Sequence, residues 1–222
     1  MRPAFYVAPV LAVALSLLIQ AGILKRQRQI YLFKPMCTLL VIAAALLSLL
    51  EPARNLTYSL GVIVGLVLSL GGDIALMLED RRNAFALGLG LFLLAHIAYA
   101  TVFTLLGQIS LWDSLSIAVL LATGVVFYKL IRANLGTMRV PVIVYMLVIS
   151  ATVSRATGTL WSPNVSHRQA LMIVVGAFLF YLSDAMLAAN RFWRPWRYWR
   201  TNLAPYYVGQ FLIALSASYF VS

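Results

Sequence analysis

Residues 65–77 read GLVLSLGGDIALM and residues 176–187 read GAFLFYLSDAML. Each is an apolar run broken by one carboxylate, Asp73 or Asp184, eight positions after a glycine, Gly65 or Gly176. Such runs carry no proline and no alternation, so they read as helices, and in context they are long enough to cross a membrane. A carboxylate in hydrocarbon costs from a few to more than about ten kcal/mol, which makes an intramembrane acid a functional candidate by default. Two in matching contexts form a candidate pair.

The rest of the chain extends this reading. Of its 222 residues, 63% are hydrophobic and 10% charged, whereas an ordinary soluble domain carries roughly 25% charge. That balance belongs to an integral membrane protein. The apolar runs are long and lack the alternation of an outer-membrane barrel, so the expected fold is an all-α, polytopic bundle. Turn and charge clusters between the runs predict eight transmembrane helices, near residues 4–23, 35–50, 57–78, 84–106, 112–131, 140–160, 169–189 and 203–221. The second is the shortest, with Lys34-Pro35 at its mouth and Glu51-Pro52 after it. Residues 1–222 read as a single transmembrane domain.

Cations are distributed unequally between the two sides. The loops after helices 1, 3, 5 and 7 hold Lys25, Arg26, Arg28, Arg81, Arg82, Lys129, Arg132, Arg139, Arg191, Arg194, Arg197 and Arg200; Arg2, Arg54 and Arg168 fall on the other side. The positive-inside rule makes the first set cytoplasmic and puts both termini outside, as expected for a protein of the bacterial inner membrane. A net charge of +11 would also suit nucleic acid, but these cations flank membrane segments and no binding motif accompanies them. Membrane lipids are the expected partners, and nucleic acid is not. The run RFWRPWRYWR over residues 191–200 interleaves aromatics with arginine, as in an interfacial anchor able to dock lipid headgroups. The first apolar run has Arg2 as a signal-like start, yet the stronger cluster Lys25-Arg26-Gln27-Arg28 follows it, so an uncleaved helix is expected. Cys37 is the only cysteine, which excludes an intrachain disulfide and suits a small packing residue. Asn55-Leu56-Thr57 and Asn164-Val165-Ser166 match the glycosylation sequon on the predicted outer side, without meaning in a bacterial chain.

Helices 3 and 7 share more than an acid. The helices after them match weakly, residues 90–95 (GLFLLA) against 209–214 (GQFLIA), and Lys34-Pro35 resembles Arg139-Val140-Pro141 upstream. Two four-helix halves follow, residues 1–110 and 111–222, and four spans per half make them parallel repeats. A pseudo-two-fold axis along the membrane normal would then place both acids at one depth. Counting agrees: Asp73 precedes Arg81 by eight residues and Asp184 precedes Arg191 by seven, roughly 10–12 Å of helix in each case.

Helical spacing shows what accompanies the acids. Gly65, Ser69 and Asp73 share a face, as do Gly176, Phe180 and Asp184. On helix 4, Phe85, Gly88, Phe92, His96 and Tyr99 form one stripe, with His96 near mid-membrane. Tyr206, Tyr207 and Gln210 lie near the cytoplasmic end of helix 8, and Lys34 enters helix 2 from the same side. Plainer readings stand beside these: the acids as structural ion-pair partners of Lys34 or arginine, His96 as a core polar group, the tyrosines as belt aromatics. Arg155 reads as snorkelling or pairing with Ser/Thr groups. With only two histidines, one of them His167 in an outer loop, no metal site or cofactor is expected, and no Ser-His-Asp order, nucleophile elbow or P-loop is present.

Lys34-Pro35, the GLVLSLGGD segment through Asp73, the GLGLFLLAHIAY segment with His96, Ser183-Asp184 and the YYVGQ segment with Gln210 together resemble the motifs of the YhhN-type lysoplasmalogenases. The resemblance covers nearly the whole chain, in order. It implies a hydrolase of ether bonds whose substrate is a lysophospholipid with a vinyl ether, cleaved to a fatty aldehyde and a glycerophospho-base. Asp73 and Asp184 would be catalytic, and Lys34, Ser69, His96, Tyr99, Ser183, Tyr206, Tyr207 and Gln210 would bind substrate. The chemistry suits the residues, because vinyl ether hydrolysis needs a proton delivered to carbon and burial favours a carboxylic acid that keeps its proton. The second carboxylate, ionised, could stabilise the cation that forms. Which acid does which is not legible, and neither is the oligomeric state. A transporter or non-catalytic lipid-binding protein is the alternative, and a metal-dependent lipid amidase like the alkaline ceramidases is a third.

Overall fold

The computed structural model describes residues 2–78, 83–195 and 199–220, and in these regions the chain forms eight α-helices and short 3-10 turns. In chain order they are α1 Val7–Ile23, α2 Gln27–Leu47, α3 Leu56–Met77, α4 Ala84–Leu106, α5 Leu111–Ile131, α6 Arg139–Gly158, α7 His167–Phe192 and α8 Leu203–Ser216. Seven of the helices are long and apolar enough to cross a membrane, α8 being the exception. The protein is an all-α, polytopic membrane protein.

Two boundaries differ from expectation. Helix α2 begins at Gln27 rather than near residue 35, so Lys34 and Pro35 lie two turns inside it. Proline within a helix removes one N–H, here the one that would bond the Tyr31 carbonyl, and the good helix formers of residues 27–29 carry the helix past that loss. The shortest helix is instead α8, whose 14 residues make roughly 21 Å of helix, less than a bilayer core. Its expected extent to residue 221 fails because Ala217, Ser218 and Tyr219 leave the α pattern for tighter turns, their N–H groups donating to the carbonyls three residues before; residue 221 itself lies outside the described residues. The same is true of Arg81, Arg82, Trp196, Arg197 and Tyr198.

Close packing follows the small residues. A Cβ added to Gly65 would sit 2.4 Å from the Tyr99 ring, so the missing side chain is what lets α4 press that ring against α3. At Gly176 the neighbour is backbone, the Gly209 carbonyl at 2.8 Å from such a Cβ, and α7 and α8 touch main chain to main chain. The N-caps correspond as well. Asn55 accepts from the Tyr58 N–H at 3.0 Å at the start of α3, and Ser166 accepts from the Gln169 N–H at 3.3 Å at the start of α7.

The pairings recur between halves. Helix α3 packs on α4 as α7 does on α8, α1 on α2 as α5 on α6, and α2 on α3 as α6 on α7. Across the halves, α4 packs on α6 and α8 on α2. Cys37 is fully buried in α2.

At the end away from the arginine-rich loops, α5 is fastened by a buried acid absent from the sequence reading. Asp113 accepts from the Ser110 N–H at 2.7 Å and pairs with Arg155 of α6 at 3.2 Å, while the Arg155 Nε–H donates to the Thr104 hydroxyl of α4 at 3.1 Å. Arg155 thus finds the hydroxyl partner expected of it and an ion pair besides. Its charge clamps α5, which buries little else, to the rest of the bundle.

Candidate active site

Lys34 and Thr38 lie one turn apart on α2 and face α3. The Lys34 ammonium stands 3.1 Å from Asp73 Oδ1, and the Thr38 hydroxyl donates to Oδ2 at 2.7 Å. Tyr206 of α8 donates to the same oxygen at 2.9 Å. Asp73 is 2% exposed and Lys34 9%, so this is a buried ion pair whose acid accepts from three side chains, the arrangement a desolvated carboxylate requires. The next tyrosine, Tyr207, donates to the Lys34 carbonyl at 2.8 Å. That contact occupies main chain beside Pro35 and ties α8 to α2.

Asp184 on α7 is held differently. Its Oδ2 accepts a hydrogen bond from the Tyr145 hydroxyl of α6 and lies 3.3 Å from His96 Nε2 of α4. Among the described residues no lysine or arginine pairs with it, and that histidine is its basic neighbour. Its side chain is 14% exposed, against 2% for Asp73. His96 is otherwise enclosed by Tyr99, Tyr145 and Phe180 rings, and its carbonyl accepts from Thr152 at 3.1 Å.

The two acids meet in one cavity. It opens at the arginine-rich end of the bundle between Gln27, Tyr31, Arg200 and Asn202, and Lys34, Asp73, Phe92, Ser183, Asp184 and Tyr206 line its interior. A second, mainly apolar cavity between α4, α5, α6 and α7 shares Leu76, Phe92, Asp184 and Leu187 with the first and continues past Phe127, Tyr145, Met146 and Ile149. Open mouths included, the two spaces amount to about 850 and about 680 Å³.

Of the residues singled out in the sequence, Lys34, Asp73, Ser183, Asp184 and Tyr206 thus line the first cavity. His96, Tyr99, Tyr207 and Gln210 form its buried backing, where the Tyr99 hydroxyl donates to Gln210 Oε1 at 2.6 Å. Ser69 is fully buried on the Asp73 face of α3, away from the lining. Tyr206 and Tyr207 are 4% and 0% exposed and so are not belt aromatics. For Asp73 the plainer ion-pair reading is geometrically met; for Asp184 no such cation is present among the described residues.

Thr38 and Tyr145 are the residues that sequence reasoning missed. Thr38 stands four positions after Lys34, which on a helix is the same face. Tyr145 is signalled by the repeat spacing: adding 111 to 65, 73 and 34 gives 176, 184 and 145, so the ungapped register of the acids brings Lys34 onto Tyr145. The resemblance of Lys34-Pro35 to Arg139-Val140-Pro141 is therefore out of register with the contacts. Each acid is bracketed by the second helix of its own half, α2 or α6, and the fourth helix of the other, α8 or α4.

A helical membrane bundle with two intramembrane carboxylates at one cavity defines the class, and the comparisons supply the family. The chain belongs to the YhhN family, whose profile matches residues 29–217. It is 34% identical over 158 residues to a Homo sapiens protein named lysoplasmalogenase TMEM86A, and 32% identical over the same length to the Bos taurus protein of that name. The alignments cover 70% of this chain and 64% of each relative, so the chain spans just under two thirds of the length of these relatives. No solved structure matches the chain.

Proposed function

We propose that this protein is a lysoplasmalogenase-like hydrolase that cleaves the vinyl ether bond of a lysophospholipid by acid-base chemistry between Asp73 and Asp184. The observation that carries the reading is the shared cavity: two acids distant in sequence line one space that is polar toward Lys34 and Arg200 and apolar beyond Phe92. A single-chain lipid with a charged head has that polarity. The names of the relatives support the reaction class.

One carboxylic acid protonates the vinyl carbon distal to the ether oxygen, leaving an oxocarbenium ion, and the other carboxylate faces the positive charge. Water adds to the carbon bonded to oxygen and surrenders a proton to the conjugate base of the acid. The resulting hemiacetal releases the glycerol oxygen with a proton and leaves the aldehyde. One water is consumed and the acid is restored.

Lys34 and Arg200 receive the phosphate, while His96, Tyr99, Tyr207 and Gln210 hold the walls in register. The halves 1–110 and 111–222 are parallel repeats, which accounts for the equivalent bracketing of the two acids. The arginine-rich end faces the cytoplasm, placing the cavity mouth there and both termini outside; a C-terminal alkaline phosphatase fusion, active only outside the cytoplasm where its disulfides form, would contradict this by being inactive.

The test is lipid analysis after incubating purified protein with lysoplasmalogen. Aldehyde release by the wild type, lost in Asp184→Asn while that variant stays inserted and monodisperse, supports the enzyme. Tight binding of the lipid with no turnover would make the protein a lipid binder or transporter instead.

A further inference from the structure

Resting on that reading, we infer that Asp184 is the proton donor and Asp73 the standing anion, and that the alkenyl chain occupies the cavity between α4, α5, α6 and α7. Three observations converge. Asp184 is the carboxylate common to the two cavities, whereas Asp73 lines only the polar one. A vinyl ether sits where an aliphatic chain meets a glycerophosphate, so the bond to be protonated falls where the apolar cavity meets the polar one. That junction is Asp184.

The second observation is charge. Asp73 faces an ammonium at 3.1 Å and two hydroxyl donors, Thr38 and Tyr206. Every one of these contacts is a donor to an anion, and removing the charge from Asp73 would leave Lys34 buried and uncompensated. At the equivalent place in the other half stands Tyr145, a neutral donor, and Asp184 needs no charge to satisfy it.

The third is which oxygen is engaged. Both hydrogen-bond contacts of Asp184 among the described residues fall on Oδ2. With Tyr145 and, in its Nε2–H tautomer, His96 donating to its carbonyl oxygen, a neutral acid carries its proton on Oδ1. The proton moves from Oδ1 to the distal vinyl carbon, whose π pair forms the new C–H bond while an oxygen lone pair closes the oxocarbenium ion. Asp73, held ionised by Lys34, stabilises that ion from the polar side. The Asp184 carboxylate then takes the proton of the attacking water.

Infrared difference spectroscopy of the resting protein in light and heavy water reads the assignment without any turnover. The carbonyl stretch of a protonated carboxylic acid, sensitive to the solvent isotope, is expected in the wild type and in Asp73→Asn and is absent from Asp184→Asn. Should Asp184→Asn not be recovered folded, Asp184→Glu must shift the band. A band that is missing from the wild type, survives in Asp184→Asn, stays unmoved in Asp184→Glu, or disappears only in Asp73→Asn overturns the assignment. The chain placement is read by Ala188→Phe, which narrows the apolar cavity. Its optimum over a ladder of alkenyl chain lengths is expected to move to shorter chains, and an unchanged optimum overturns the placement. No aldehyde from the wild type at any length would reject the hydrolase reading and the chain placement with it, while the spectroscopic result would still decide which acid carries the proton.

Discussion

The Asp73 and Asp184 sites occupy equivalent places in the two halves of the bundle but are built from opposite materials. Asp73 opens only to the polar cavity, faces an ammonium and accepts from Thr38 and Tyr206. Asp184 opens to both cavities and touches a phenol and an imidazole. The helix pairings match on the two sides, and where the ammonium of Lys34 on α2 faces Asp73, the neutral phenol of Tyr145 on α6 faces Asp184. Two acids of equal environment could not divide acid and base between them; environments that differ can.

The strongest way to break this contrast is to remove each carboxylate in turn. Asp184→Asn is expected to lower lysoplasmalogen turnover by about 10²–10⁴-fold, the usual worth of a general acid, measured as aldehyde released. Asp73→Asn should lower it by roughly 10²–10³-fold, as the loss of electrostatic stabilisation does. An Asp184→Asn protein that is fully active would end the catalytic reading of that half.

Stability sharpens the contrast from the partner side. Lys34→Met leaves a buried carboxylate without its cation and should cost about 3–5 kcal/mol, with much of it recovered in the double variant Lys34→Met/Asp73→Asn. Tyr145→Phe removes a donor but strands no charge, so about 1–3 kcal/mol is expected. Unfolding in mixed micelles measures both, and equal losses would mean that the two acids are charged alike.

Smaller effects test the helix seams. Gly65→Ala drives a methyl into the Tyr99 ring and Gly176→Ala drives one into the Gly209 carbonyl, and each should destabilise by roughly 1–3 kcal/mol. Gly65→Ala should also disturb the Tyr99–Gln210 hydrogen bond, since the ring must turn. The least is expected at the caps: Asn55→Ala and Ser166→Ala should each cost about 1 kcal/mol. A much larger loss at one cap than the other would mark unequal halves even there.

Much of the fold and the core of the candidate site were legible because membrane helices satisfy their own backbone, so apolar length alone reports them. Asp73 and Asp184 stood out because each is the one charge in its run. Legibility failed where an effect depended on a neighbour distant in sequence. Residues 27–34 looked like a loop because their polarity masks a helix that Pro35 does not break, and α8 looked like a full span because composition does not show where a helix ends. Asp113 sat at a predicted helix start beside ordinary capping residues, and only the folded chain brings Arg155 to it.

The sequence by itself determined a polytopic helical membrane protein, the two isolated acids and most of the polar residues around them, since each follows from composition and 3.6-residue periodicity along a single helix. Only the tertiary structure decided that Lys34 faces Asp73 while Tyr145 faces Asp184, and that one acid lines two cavities and the other only one. Those facts depend on how α2 meets α3 and α8, and how α6 meets α4 and α7. Helix-to-helix register is set by packing between segments that the linear order keeps apart, and it is this register that gives two similar aspartates different surroundings.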